Sequence, residues 1–183
     1  MSGRNDLVVT VGTDHHPFDR LIEWVNSWLD TTSQGPGQLR CVVQHGASRP
    51  PDNGKAICRM PRDELVKLMG ASDLVVGHAG PGTIADSRAQ GRLPVVVPRL
   101  ARLGEAVDDH QVAFSARLEA AGLVRVAADE QQLHGLLDNA LAHPSSLRIP
   151  RRADPAHATA RRFAAELRRV VTQKPPRRAR RRV

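Results

Sequence analysis

The ten residues GHAGPGTIAD, Gly77 to Asp86, gather a histidine, three glycines, a threonine and an aspartate in the pattern H-x-G-x-G-T-x-x-D from His78 onward. Glycine permits tight turns and close backbone approach, and a helix start presents unpaired N–H groups, so such a stretch can cradle an anion where a strand passes into a helix. In this arrangement the Gly82 and Thr83 amides and the Thr83 hydroxyl meet a diphosphate. Asp86, three residues beyond Thr83, reaches a ribose diol, and His78 contacts a phosphate as charge leaves. The plainer alternative is a strand-to-helix turn N-capped by Thr83.

Other phosphate motifs do not fit. A P-loop needs G-x-x-x-x-G-K-[ST], and no Lys follows Gly82. A dinucleotide fingerprint needs G-x-G-x-x-G after the first strand, and VGTDHHP supplies only Gly12 there. In that first loop His15 and His16 are either exposed turn residues before Pro17 or groups at a reacting centre; His16 joins His78 as a catalytic candidate. His45, His134, His143 and His157 are isolated and read as surface or packing residues. No HExxH or comparable spacing points to a metal, and none is expected, because helix-end amides and the helix dipole can offset diphosphate charge.

These residues must be held by a framework, and the chain alternates between two periodicities. LVVTV, LRCVVQ, KAICRM, DLVV, PVVVP and LVRV read as short buried strands. Between them, PFDRLIEWVNSWLD, RDELVKLMGA, TIADSRAQG, the stretch near His110–Ala121 and a segment with Leu133, Leu136, Leu137, Ala140 and Leu141 on one face read as helices. SQGPGQ, GASRPPDNG and LARLGEAVDD read as loops. Strands alternating with helices imply parallel pairing and right-handed crossovers, so the expected fold is α/β, a single doubly wound parallel sheet. Ligands bind such sheets at the carboxyl ends of the strands, the edge that carries both VGTDHHP and GHAGPGT.

Composition narrows the function classes. The 183 residues suit one domain, expected over residues 1–150, and aromatics at 3% poorly supply a nucleic-acid platform of stacked rings. The net charge of +8 is concentrated: residues 151–183 hold 12 of the 27 Lys and Arg but only two of the 19 acids, which leaves residues 1–150 at −2. Nucleic acid is therefore not expected at the main site. The basic segment carries Ala156, Ala160, Phe163, Leu167 and Val170 on one stripe and ends in PPRRARRRV. It reads as a last helix docked on the domain or as a basic amphipathic helix in contact with anionic lipid. Cys41 and Cys58 read as buried thiols in a reducing, cytoplasmic setting, and no run approaches a membrane span.

Several motifs in order carry a family resemblance. VTVGT with PFDRL, then SDLVVGHAGPGTIAD, then LPVVVPRL followed by VDDHQ, resemble the donor-binding half of the GT-B glycosyltransferases, specifically the family 28 C-terminal domain of the MurG type and its separate-subunit relatives in dolichol-linked and exopolysaccharide synthesis. The resemblance spans roughly residues 7–141. It implies a Rossmann-like sheet forming the C-terminal half of a GT-B enzyme. It places Gly12 and Thr13, with His78, Gly80, Pro81, Gly82 and Thr83, at the nucleotide diphosphate, Asp86 at ribose, and Asp109, His110 and Gln111 at the hexose. Two positions depart from the family pattern: Asp86 stands where Glu is common, and GRLP has one residue more than G-x-P.

The resemblance further implies a UDP-sugar donor, UDP-GlcNAc or a similar hexosyl donor, and a membrane-anchored partner subunit that holds a lipid-linked acceptor and supplies the general base. The chain would then be the donor-binding catalytic subunit of a two-component enzyme at the cytoplasmic membrane face. A self-contained homodimer acting on a small acceptor, a non-catalytic nucleotide-sugar sensor and a nucleic-acid binder acting through the Arg-rich end are the competing readings.

Overall fold

A computed structural model describes residues 5–32 and 39–151. The turn expected at SQGPGQ and the basic segment beyond residue 151 lie outside the described residues. The elements alternate as the sequence pattern demands: β1 (Asn5–Thr10), α1 (Asp19–Thr31), β2 (Leu39–Gln44), β3 (Lys55–Ile57), α2 (Arg62–Ala71), β4 (Leu74–His78), α3 (Pro81–Ala89), β5 (Val95–Val97), α4 (His110–Ala120), β6 (Arg125–Val126) and α5 (Glu130–Ala142). All pairings between these strands are parallel, in the order β3-β2-β1-β4-β5-β6. This is the doubly wound sheet expected from the sequence, and its strand order reverses between β1 and β4.

Strand parity sorts the core into two faces. Leu7 and Val9 of β1, Cys41 and Val43 of β2 and Val76 of β4 pack with Phe18, Leu21, Ile22, Val25 and Trp28 of the first crossover and with Leu133, Leu137 and Ala140 of α5. Val8 and Val75 point the other way, onto Met69 of α2, and Val96 meets Ile84 of α3 and Leu118 of α4. Trp28, 1% exposed, donates its indole N–H to Asp138 at 2.8 Å and so ties α1 to α5.

Three local expectations change. Gly80, not Thr83, is the N-cap of α3; Pro81 occupies the first helical turn, where its missing N–H costs nothing, and Thr83 sits inside the helix. The KAICRM strand ends at Ile57, so Cys58 is exposed while Cys41 is buried. Leaving the ladder frees the Cys58 backbone, whose carbonyl accepts from Gln44 Nε2 at 3.2 Å. The long loop before α4 also carries a single 3₁₀ turn, Ala101–Leu103.

That loop is held by Arg99, which follows β5 and is 1% exposed. Its guanidinium donates to the carbonyls of Val11 at 2.7 Å, His16 at 2.8 Å and Glu105 at 2.8 Å, and lies 4.8 Å from the Phe18 ring centroid. Beside it Arg20 of α1 makes a two-pronged pair with Glu105, both bonds at 2.8 Å, and donates to Pro98 O at 2.9 Å. Glu105 also accepts from Leu100 N. One buried cation and one buried ion pair thus fix the loop after β5 against the loop after β1.

Arg99→Met keeps the length of the side chain but leaves three carbonyls unpaired, so we expect a loss of about 3 kcal/mol or more in unfolding free energy, measured by urea denaturation. A thiol reagent is expected to titrate Cys58 in the native protein and Cys41 only in denaturant, since burial pushes the Cys41 thiol up to about 12.

Candidate functional site

Two turns flank the β1/β4 switch point. Gly12 follows β1 with φ +84°, a conformation that L side chains rarely adopt. A Cβ there would stand 2.6 Å from Cε1 of His78, and a Cβ at Gly80 would collide with His78 Nε2. The imidazole of His78, the last residue of β4, is therefore sandwiched between two glycines, one from each turn. Both glycines are explained by this packing. Gly82 is not: a Cβ there would meet nothing within 4 Å. The α3 N-terminus, with the Gly82 and Thr83 amides and no side-chain cap, opens into that space.

The His78 ring is largely withdrawn from water, and this, together with the Arg99 cation, pushes its pKa down from 6.5 to about 4. Its buried Nδ1 has no hydrogen-bond partner among the described residues. The group is thus a neutral imidazole at neutral pH, suited to a hydrogen bond rather than to a fixed positive charge.

The β1 turn is braced from the other side. Thr10 Oγ1 donates to Gln44 Oε1 at 2.5 Å, and Gln44 Nε2 donates to Gly12 O at 3.0 Å. Thr13 is exposed beyond that brace. Asp14 accepts from both the backbone N–H of His16, at 2.8 Å, and its ring Nδ1, at 2.7 Å, and these bonds hold its carboxyl down at about 2. Asp14, His15 and His16 bring one ligand atom each within 4.8 Å of one another.

Other sequence-predicted residues are placed as follows. Asp86 lies on α3 with its carboxylate gripped by Arg62 at the start of α2, one bond measuring 2.9 Å and the second shorter. Asp109 stands at the N-cap position of α4 without a side-chain cap bond, and its Oδ1 accepts instead from Ala101 N at 2.8 Å, so part of its capacity belongs to the loop. His110 is exposed and its Nδ1 is paired with Asp108. Gln111 accepts from Arg99 N at 3.3 Å, an orientation that leaves its amide N–H groups to donate. The structure brings Gly12, His78 and Gly80 into contact and links Gln111 to the same turn through Arg99. Asp86 and His110 enter no hydrogen bond with that cluster.

Sequence reasoning passed over Arg99, Glu105, Arg20, Gln44 and Arg62. Faint signals existed for two of them. Gln44 follows the apolar run Cys41–Val43, and Arg99 directly follows PVVVP, both on the carboxyl edge of the sheet, where a buried polar group has to be bonded. The Arg62–Asp86 pair joins residues 24 apart, and nothing local indicates it.

Comparison with known proteins bears on the family and the fold. The chain matches the family described as "Glycosyltransferase family 28 C-terminal domain" over residues 7–167. It is 36% identical over 86 residues to the UDP-N-acetylglucosamine--N-acetylmuramyl-(pentapeptide) pyrophosphoryl-undecaprenol N-acetylglucosamine transferase of two Acidithiobacillus ferrooxidans strains, a match covering 45% of this chain and 23% of each relative. The match thus takes in less than a quarter of those relatives. Among solved structures, Acinetobacter baumannii MurG aligns with a TM-score of 0.53 at 19% identity, over 93% of this chain and 50% of that one. ALG13 aligns with a TM-score of 0.54 at 17% identity, over 91% of this chain and 98% of that one. These two likenesses concern the fold. The family match is of another order, running from Leu7 past the last described residue, and on it the chain belongs to the glycosyltransferase family 28 C-terminal domain family.

Proposed function

We propose that this chain is the donor-binding unit of a glycosyltransferase that holds a UDP-sugar, UDP-GlcNAc or a similar hexosyl donor, for transfer to a lipid-linked acceptor presented by a membrane-anchored partner subunit. The observation that carries this reading is the pairing of a glycine-sandwiched neutral imidazole with an uncapped helix N-terminus at the switch point of the sheet. Family membership supplies the transferase chemistry, and the relatives named for N-acetylglucosamine transfer supply the donor class. The alignments with ALG13 and with half of MurG support the fold of such a donor-binding unit. Among the described residues no helix is long and apolar enough to cross a membrane.

In this reading the diphosphate lies over Gly82, where there is room for it, and accepts from the Gly82 and Thr83 amides and the Thr83 hydroxyl at the positive end of the α3 dipole. Charge that builds on the departing UDP is met by these fixed donors and by an N–H of neutral His78, at no reorganisation cost. Asp86 accepts from a ribose hydroxyl while Arg62 holds its carboxylate in one orientation, offsetting the shorter reach of Asp relative to Glu. Gln111, turned by Arg99, donates to the hexose in company with Asp109 and His110, and His16 is the second catalytic candidate. The diphosphate charge is met without a metal ion in this proposal, although Asp14, His15 and His16 are close enough together to share one.

UDP is therefore expected to raise the melting temperature of the full chain equally with and without EDTA, and UMP to raise it less. Absence of any shift with UDP would sink the donor-site reading. Gly82→Ala is expected to leave the melting temperature of the unliganded protein unchanged or slightly raised while weakening UDP binding. Asp86→Ala should weaken UDP by about 1–3 kcal/mol in calorimetry.

His78 gives a second handle. The unfolded chain takes up the imidazole proton near pH 6.5 and the folded chain only near 4, so stability attached to neutral His78 is complete above 6.5 and is lost as pH falls toward 4. Denaturation across that window is expected to show a steeper loss in the wild type than in His78→Gln, by up to roughly 3 kcal/mol at the acid end. Parallel profiles would place the His78 ring in water.

A further inference from the structure

One part of the sheet is uncovered. On the face where α2, α3 and α4 pack, α2 shields β1 and β4 through Val8, Val75 and Met69. The β2–β3 connection, residues 45–54, contains no helix, so nothing among the described residues covers β2 and β3 on that side. The result is a groove of about 480 Å³, floored by Val8 and Val42 and walled by Leu68 and Ala71 of α2, with the Asp6–Arg40 pair and Lys55 at its rim. Val42 and Leu68 are only half-buried in it, an arrangement in which apolar area stays in water although a neighbouring element could remove it.

The described chain ends close by. Arg148 pairs with Asp73, just after α2, and Arg151 Nη2 donates to Gln90 Oε1 at 3.0 Å. A Cβ on Gly91 would stand 3.5 Å from the Arg151 Cα, and the Gln90 oxygen lies 2.7 Å from where a Cβ on Gly70 would stand, so the chain leaves beside Gly91, with Gln90 bridging it to the last turn of α2. Four residues, 152–155, separate this exit from Ala156. Extended, they span at most about 14 Å, enough to pass around the end of a helix about 10 Å wide. The first residues to arrive then carry the stripe Ala156, Ala160, Phe163, Leu167 and Val170, spaced for one helical face, with Arg161, Arg162, Arg168 and Arg169 off that stripe. The family match also continues through residue 167, so the domain pattern includes this segment.

We propose that residues 156–170 dock their apolar stripe into the groove between β2 and α2, with Phe163 filling its centre, and thereby close the second face of the sheet. The arginine pairs are left in solvent. The groove is an intrachain docking site, distinct from the donor site at the opposite, carboxyl edge of the strands.

Hydrogen exchange on the full chain tests this. Amides of 160–170 are expected to exchange at least about tenfold more slowly than in a free peptide of the same sequence, and Phe163→Asp is expected to abolish that protection. Leu68→Asp, on the groove wall, should release the same amides. The melting shifts of the two substitutions should be strongly non-additive, the double variant melting close to the worse single one. Free-peptide exchange in the wild type would overturn the proposal, as would protection that arises only when phosphatidylglycerol vesicles are added. Fully additive melting shifts would overturn it as well. The exchange measurement on wild type and Phe163→Asp stands even if Leu68→Asp fails to fold, because residue 163 lies outside the described core.

Discussion

A single buried guanidinium organises the carboxyl edge of this sheet. Removing Arg99 from water is costly for a charged group, and the cost is offset because its donors meet carbonyls of the β1 turn and of the loop after β5 while the Phe18 ring lies 4.8 Å away. Those carbonyls belong to segments without regular structure, which have no ladder partners of their own. The Arg20–Glu105 pair repeats the device one layer out, joining α1 to the same loop. Two loops that would otherwise move independently are thus presented as one surface, and Gln111 is oriented by the backbone N–H of the same arginine.

The cation has an electrostatic consequence at His78. Arg99 adds to desolvation in keeping the imidazole neutral, so the structure places a hydrogen-bonding ring, not a second positive charge, beside the α3 N-terminus. The strain that goes with this arrangement is taken up by glycine. Gly12 and Gly80 lack side chains because the ring occupies the space from both sides, whereas Gly82 lacks one with nothing of the protein in the way. Three glycines in neighbouring turns therefore have two different physical reasons.

The sheet itself is asymmetric. Among the described residues, one face is closed by α1 and α5 across β1, β2 and β4, while the other is closed over β1, β4 and β5 but not over β2 and β3. The open part lies near the amino ends of the strands, and the open helix N-terminus of α3 lies at their carboxyl ends. The proposed donor site and the proposed docking groove thus sit at separate ends of the same strands.

The sequence alone determined the six strands, the five helices and their parallel order, because hydrophobic periodicity and glycine-marked turns are local signals that the backbone must obey. It also determined that the two turns would share one edge, and it supplied the motif residues from Gly12 to Gln111. It misplaced the α3 cap, since Thr83 and Gly80 both suit a helix start and only the Pro81 position within the folded turn separates them. It missed Arg99, Glu105 and Arg20, which read locally as ordinary surface charges, and it did not see Arg62 closing on Asp86. Tertiary structure decided those pairings. A charge is buried, a histidine neutral and a glycine obligatory only because of what distant segments bring against it, and such contacts leave no periodicity in the chain.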